Sequence, residues 1–403
     1  MPRLAILLAC CLLPMAAMAH GGDAHKMGEG GNPHHTTQLG ASAAIAGDGS
    51  LWVASVAHGH VVLRVSTDSG QHFSAPVQVN TKAEDIAGFG ENRPEVAIGP
   101  GGQIYVIWVG NLPEKWASYI WFSRSTDGGK SFSKPILVHH DKAHITHSFA
   151  TLAVNGKGQP VVAWLDARDH VAAMKKYGMK GPHAYHGLAV YYTWSPDHGK
   201  HFVPARKVMD HSCECCRIAL AQGPNDVVAA FFRGVYGDNI RDHAFALLPT
   251  TSDAAPDAQR STFSGWQVAA CPEQGPGLAI SSSGMLNAVW YEASHGPAIW
   301  YGHLHPGRKP IEKLKIAGAG ASHADVAVHG NTVWVVWNQV SAKGYTLWLR
   351  VSKDGGQSFA VPRSLAQSKV AVYSPQLLGH DGHAWVGWNT LDGYRVIAIG
   401  APK

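Results

Sequence analysis

Charged residues make up only 15% of this 403-residue chain, and no basic run concentrates the formal net charge of +5. Long charged helix surfaces and a nucleic-acid partner are therefore not expected. Past the N-terminus no stretch approaches the roughly 18 uninterrupted apolar residues that a membrane-spanning helix needs. Cysteine is sparse too, with six in all, and two of them, Cys10 and Cys11, lie within the first 19 residues. In contrast, the hydrophobic share is 45%, and the chain carries 25 histidines and 14 tryptophans. That composition suits a large packed core. The histidines need a further account, because imidazole changes charge near neutral pH and ligates transition metals.

At the N-terminus, Arg3 precedes an apolar run from Leu4 to Leu13, which ends in the small-residue group Ala17-Met18-Ala19. Residues 1–19 read as a secretory signal peptide, too short for a finished anchor. Cleavage after Ala19 leaves His20 as the first residue and no membrane anchor, so a periplasmic or secreted location is expected. Residues 20–35 are Gly- and His-rich with no core pattern, and read as a flexible tail. Residues 36–403 form the single remaining domain. Its four cysteines, Cys213, Cys215, Cys216 and Cys271, are expected to meet an oxidising compartment.

Four segments share the pattern S-x-D-x-G-x-x-F: Ser66 to Phe73, Ser125 to Phe132, Ser195 to Phe202 and Ser352 to Phe359, with the acids at Asp68, Asp127, Asp197 and Asp354. In each, Asp accepts turn amides, Gly takes a positive φ and Phe tucks the hairpin end inward. Four copies make a repeat. Around them, strand-like runs recur. In the clearest unit, Glu95–Ile98, Ile104–Val109 and Ile120–Ser125 precede the repeat and Lys134–Val138 follows it. The second run of successive units ends in an aromatic: Trp108, Trp164, Phe232, Trp290, Trp337 and Trp388.

The repeat resembles the Asp-box, or BNR repeat, of sialidases and related β-propellers. The resemblance implies an all-β propeller of four-stranded antiparallel blades, with the boxes as structural turns between third and fourth strands, all on one face. First strands begin near residues 40, 93, 148, 217, 277, 323 and 373, which counts seven blades; six is the alternative, as in related sialidases. Units four and five have no box. The last unit ends after three strands, so its fourth comes from the N-terminal segment or is absent.

With the boxes on one face, the blade-to-blade connections lie on the other, which is where a site is expected. The sharpest signal there is His211-Ser-Cys213-Glu-Cys215-Cys216-Arg217. Cys271 holds the equivalent place one blade along and should lie close by. Two readings stand: a disulfide from Cys271 to one of the three, or a thiolate cluster for a soft metal such as Cu(I), helped by His211 or Met209. The C-x-C-C spacing resembles that of some periplasmic copper-handling proteins. His20 and His25 add weaker copper ligands in the tail. Copper is the cofactor expected, if there is one.

The sialidase resemblance implies another reading, an exo-sialidase with three arginines around a substrate carboxylate, a Tyr–Glu nucleophile pair and an Asp as acid/base. Candidates are Arg93, Arg168, Arg233 and Arg241, Tyr373 or Tyr291 with Glu292, and Asp166 or Asp169. Their placement departs from the family pattern, as no Arg-Ile-Pro segment opens the first blade. Arg241-Asp242 also reads as a surface ion pair, and the stretch from about 170 to 186 as a long loop over the channel mouth. A third class is a non-catalytic scaffold that docks a glycan or a periplasmic protein. The reading carried forward is a propeller that binds a soft metal or small ligand on its cysteine-bearing face and is not a catalytic sialidase.

Overall fold

The structure, a computed structural model, describes residues 39–178, 181, 184–251 and 253–400. The proposed signal peptide and the tail with His20 and His25 lie outside the described residues.

Seven antiparallel sheets follow one another along the chain, each a meander of neighbouring strands. Six have four strands and the last has three, Val372–His380, His383–Thr390 and Gly393–Ala398. The first strands pack against one another in order round the ring, and that of blade 7 meets that of blade 1. The fold is therefore a seven-bladed propeller. Among the described residues the last blade has no fourth strand. The ring is closed instead by side chains: Asn389 and Gln376 of blade 7 bond to the backbone of Ala41 and Ala43.

The core lies between blades. Seven clusters of buried apolar side chains each span one interface, including the seventh, where Ala43 and Val53 of blade 1 meet Leu378 of blade 7. A sheet covered on both faces needs apolar side chains at consecutive positions rather than alternate ones. This explains why Pro160–Asp166 and Leu188–Trp194 are buried along their whole lengths. The aromatics that end the second strands sit in these interfaces, and Trp108, Trp164, Trp290 and Trp388 are fully buried.

The four S-x-D-x-G-x-x-F segments join the third and fourth strands of blades 1, 2, 3 and 6. In blade 2, Ser125 Oγ donates to Asp127 Oδ1 (2.7 Å) and accepts the Gly129 amide (2.9 Å), while Asp127 Oδ1 accepts the Ser131 amide (3.0 Å). Gly129 has φ +79°, and a Cβ there would lie 2.5 Å from Trp52 of the preceding blade. Gly199 and Gly356 press in the same way on Phe122 and Tyr301. The glycine thus serves the turn and the blade interface together.

Two expectations change. The stretch after Asp166 is not only loop: Arg168–Tyr177 is an α-helix with no buried residue, started where Asp166 Oδ1 accepts the Arg168 amide. Arg241-Asp242 is not a surface ion pair. Asp242 is fully buried, and its partner is Arg260, whose Nε lies 3.1 Å from Asp242 Oδ2. Arg241 instead donates to the carbonyl of Val268.

Candidate functional site

The connection from the last strand of blade 3 (Arg206–Ser212) to the first of blade 4 (Ala219–Gln222) carries the cysteines. It is pinned at its start, where Arg233 O accepts the Cys213 amide (2.9 Å) and Ser212 Oγ (3.0 Å). The corresponding connection into blade 5 brings up Cys271, and Cys215 and Cys271 form a disulfide with their Cα atoms 6.2 Å apart. Cys213 and Cys216 are free thiols, 1% and 2% exposed. Their Sγ atoms are 3.4 Å apart, and Cys213 Sγ lies 3.8 Å from Cys215 Sγ. Phe149 packs against the group.

The two thiols are electrostatically unlike. A hydrogen bond from the Cys216 thiol lowers the Cys213 pKa against the opposing effect of burial, with help from the charges of Arg233 and Arg241. Burial pushes the Cys216 pKa up, and the neighbouring Cys213 sulfur adds to this. One sulfur is thus poised to be a thiolate while the other keeps its proton.

Beside the cysteines, Glu91 gathers the other connections. It accepts the Arg217 amide (2.9 Å), Arg217 Nη1 (3.3 Å), the Gly275 amide (3.1 Å) and Ser374 Oγ (3.3 Å), and lies 3.5 Å from His323 Nδ1. Burial works to raise its pKa, but the charges of Arg217 and His323 prevail and hold it at about 2. Arg217 also donates to the carbonyls of Pro276 and Ala324. Five blades are joined here through one carboxylate. Sequence reasoning passed over Glu91 and treated Arg217 only as the end of a motif. The available signal was position, since Glu91 precedes a first strand as Cys213 does.

Most of the sialidase candidates are engaged by other protein groups. Arg168 is held by Asp166, with Nε 2.9 Å from Oδ1 and Nη2 2.6 Å from Oδ2. Arg233 donates to the carbonyls of Arg241, Gln274 and Tyr291. Arg93 is buried, and its Nε and Nη1 have no hydrogen-bond partner. Glu292 pairs with Lys313 (2.8 Å) rather than with a tyrosine. Tyr373 stacks on His323 (ring centroids 4.4 Å apart), and burial, then Glu91, pushes its pKa up, the wrong direction for a phenolate nucleophile. His211 has its ring 4.4 Å from that of Tyr185, and its Nδ1 accepts the His186 amide (3.2 Å). Met209 packs into the interface of blades 3 and 4.

A second group lies at the start of blade 3. The Nε2 of His147, with its ring wholly buried, is 3.6 Å from Asp141 Oδ2 and 3.7 Å from Asp166 Oδ2. The ring stacks on His139, with centroids 4.0 Å apart. Burial lowers the His139 pKa to about 4, with His147 adding to the effect, and its Nδ1 is 2.6 Å from the carbonyl of Asp141.

No family model and no curated protein sequence matches the chain. Solved structures do. An ulvan lyase of polysaccharide lyase family PL25, solved with -[GlcA(1-4)Rha3S]- bound, is similar at 11% identity and TM-score 0.56, covering 92% of this chain and 93% of its own. The polysaccharide lyase Uly1 is similar at 10% identity and TM-score 0.56, over 92% of each chain. A Hadza microbial sialidase, Hz136, aligns at 11% identity and TM-score 0.49 over 85% of this chain and 74% of its own. At such identities the likeness is one of fold, and fold does not fix activity.

Proposed function

We propose that this is an exported propeller that binds Cu(I) through the thiol pair Cys213 and Cys216 at its channel mouth. The observation that carries the reading is two buried, unoxidised thiols 3.4 Å apart beside a formed disulfide. A structural role for the cysteines is met by Cys215 and Cys271 and leaves this pair unused. Thiolate sulfur favours soft ions. A structural zinc site takes four ligands, and with the disulfide formed only two sulfurs are free, which favours an ion content with fewer. A bis-thiolate copper(I) complex is also an anion, and the charges of Arg233 and Arg241 that favour the Cys213 thiolate would offset it. His20 and His25 stand apart as weaker copper ligands of the tail, and His211, whose Nδ1 accepts the His186 amide, is left out of the thiol site. The apolar N-terminal run and the disulfide support export.

The ulvan lyase neighbour suggests a glycan as the other ligand for this face. Against it, Arg168 and Arg233 are already engaged by protein groups. The test is anaerobic Cu(I) titration of the mature protein against a chromophoric chelator, beside the Cys213→Ser/Cys216→Ser double variant. Loss of one copper equivalent in the variant supports the proposal. Equal binding by both proteins overturns it.

A further inference from the structure

The geometry points to a separate site for a divalent first-row cation of the zinc type, formed by His147, Asp141 and Asp166, which we propose as a second metal centre of the protein. The atom that matters first is the Nε2 of His147. The ring's Nδ1 lies 2.8 Å from the carbonyl oxygen of Ser118, an acceptor only, so Nδ1 carries a hydrogen and Nε2 is the ring atom left to bind a metal. That Nε2 is buried and has no hydrogen-bond partner. It faces two carboxylate oxygens at 3.6 and 3.7 Å, too far for hydrogen bonds. Nε2 and the two carboxylate oxygens thus converge, Asp166 Oδ2 also accepting Trp164 Nε1 (2.8 Å) and Arg168 Nη2 (2.6 Å).

The spacing suits a metal. All three ligand atoms lie within 4.8 Å of one another. Ligands at the usual 2.0–2.2 Å from a tetrahedral ion stand about 3.4 Å apart, close to the 3.6 and 3.7 Å that separate Nε2 from the two carboxylate oxygens. The charge balance points the same way. Asp141 and Asp166 carry two negative charges, and Arg168 is the one guanidinium paired with them, its Nε 3.8 Å from Asp141.

The surroundings hold the ligands as metal sites commonly do. Ser118 O fixes the His147 tautomer. Arg168 and Trp164 Nε1 (2.8 Å) orient Asp166. His139 stacks on the His147 ring and bonds the backbone of Asp141. Asp141 is 24% exposed on its side chain, which leaves a path for the ion and a position for water or an oxyanion ligand. One imidazole with two carboxylates suits Zn(II), Co(II) or Mn(II) rather than Cu(I). The site is chemically distinct from the thiol pair, and neither proposal depends on the other.

The test uses the full mature chain with Cys213→Ser and Cys216→Ser to silence the thiols, titrated with Co(II) and Zn(II). Adding Asp141→Asn, a partly exposed change that keeps the side chain's size, should remove one bound equivalent. His147→Asn should remove the same equivalent, and the Co(II) d–d absorption should disappear with it. Glu114→Gln, which alters the exposed His144–Glu114 pair, should leave binding unchanged. Unchanged stoichiometry in Asp141→Asn overturns the proposal. So does 15N NMR showing His147 as an imidazolium, protonated at Nε2, with Zn(II) in excess, because a proton then occupies the position assigned to the metal.

Discussion

Asn389 of the last blade and the backbone of Ala41, ahead of the first, exchange two hydrogen bonds of 2.9 Å, the amide of Ala41 donating to Oδ1 and its carbonyl accepting from Nδ2. A side chain here performs what a shared strand would otherwise do, and it does so 348 residues along the chain.

Asn389→Ala should therefore cost more than its exposure alone would indicate. It strands a buried donor and a buried acceptor at the ring's closure, a loss of about 2–4 kcal/mol. Asn389→Asp keeps the acceptor but sets a buried carboxylate oxygen against the Ala41 carbonyl, and should cost at least as much. Urea unfolding of the two variants beside wild type gives the order, and equal stability of all three would show that the ring closes by apolar packing alone.

Neighbouring glycines in one turn should respond differently. Gly128 and Gly129 both have positive φ, but a Cβ on Gly128 meets nothing within 4 Å, whereas one on Gly129 meets Trp52 at 2.5 Å. Gly128→Ala should cost about 1 kcal/mol for backbone strain, and Gly129→Ala about 1–3 kcal/mol more for overpacking. Thermal melts should separate them clearly, and coincident curves would mean that the turn does not press on the blade before it.

Peptide mapping without reduction should recover Cys215 linked to Cys271, with Cys213 and Cys216 alkylated only after unfolding. The bond closes a loop of 56 residues, so Cys271→Ser should lower stability by up to about 4 kcal/mol on loop entropy. Rapid alkylation of Cys213 in the folded protein would contradict the burial described.

The acid limb of stability should involve Glu91. Its folded pKa of about 2 lies below the ordinary glutamate value of 4.5, so its contribution is full above about pH 4.5 and is lost as the pH falls toward 2. The shift corresponds to something on the order of 3 kcal/mol. Glu91→Gln should be the less stable protein at pH 7, with the gap to wild type narrowing between pH 4.5 and 2. A gap that stays constant over that range would assign Glu91 a packing role only.

The blade order was legible because it is local. Each S-x-D-x-G-x-x-F turn is held by groups within four residues of one another, and a doubly covered sheet writes continuous apolar runs into its strands. Seven first strands could accordingly be counted at nearly their observed starts. The proximity of Cys271 to the C-x-C-C segment followed from the same register, since equivalent positions in adjacent blades are neighbours.

The choice of partners was not local. Two readings of the four thiols stood open on sequence, and which cysteine Cys271 joins depends on how a four-residue turn bends against the next blade. The arginines looked available as a clamp until tertiary packing placed backbone carbonyls around Arg233 and a carboxylate against Arg168. Glu91 had no sequence motif at all, because its partners come from positions 217, 275, 323 and 374 and meet only once the ring closes. The linear pattern determined most strands and the repeated turns, since those rest on neighbours in the chain, while the ring settled seven blades against the alternative of six. Which buried charges and sulfurs face one another was decided by the ring, where distances between blades, and not separations in sequence, set the energies.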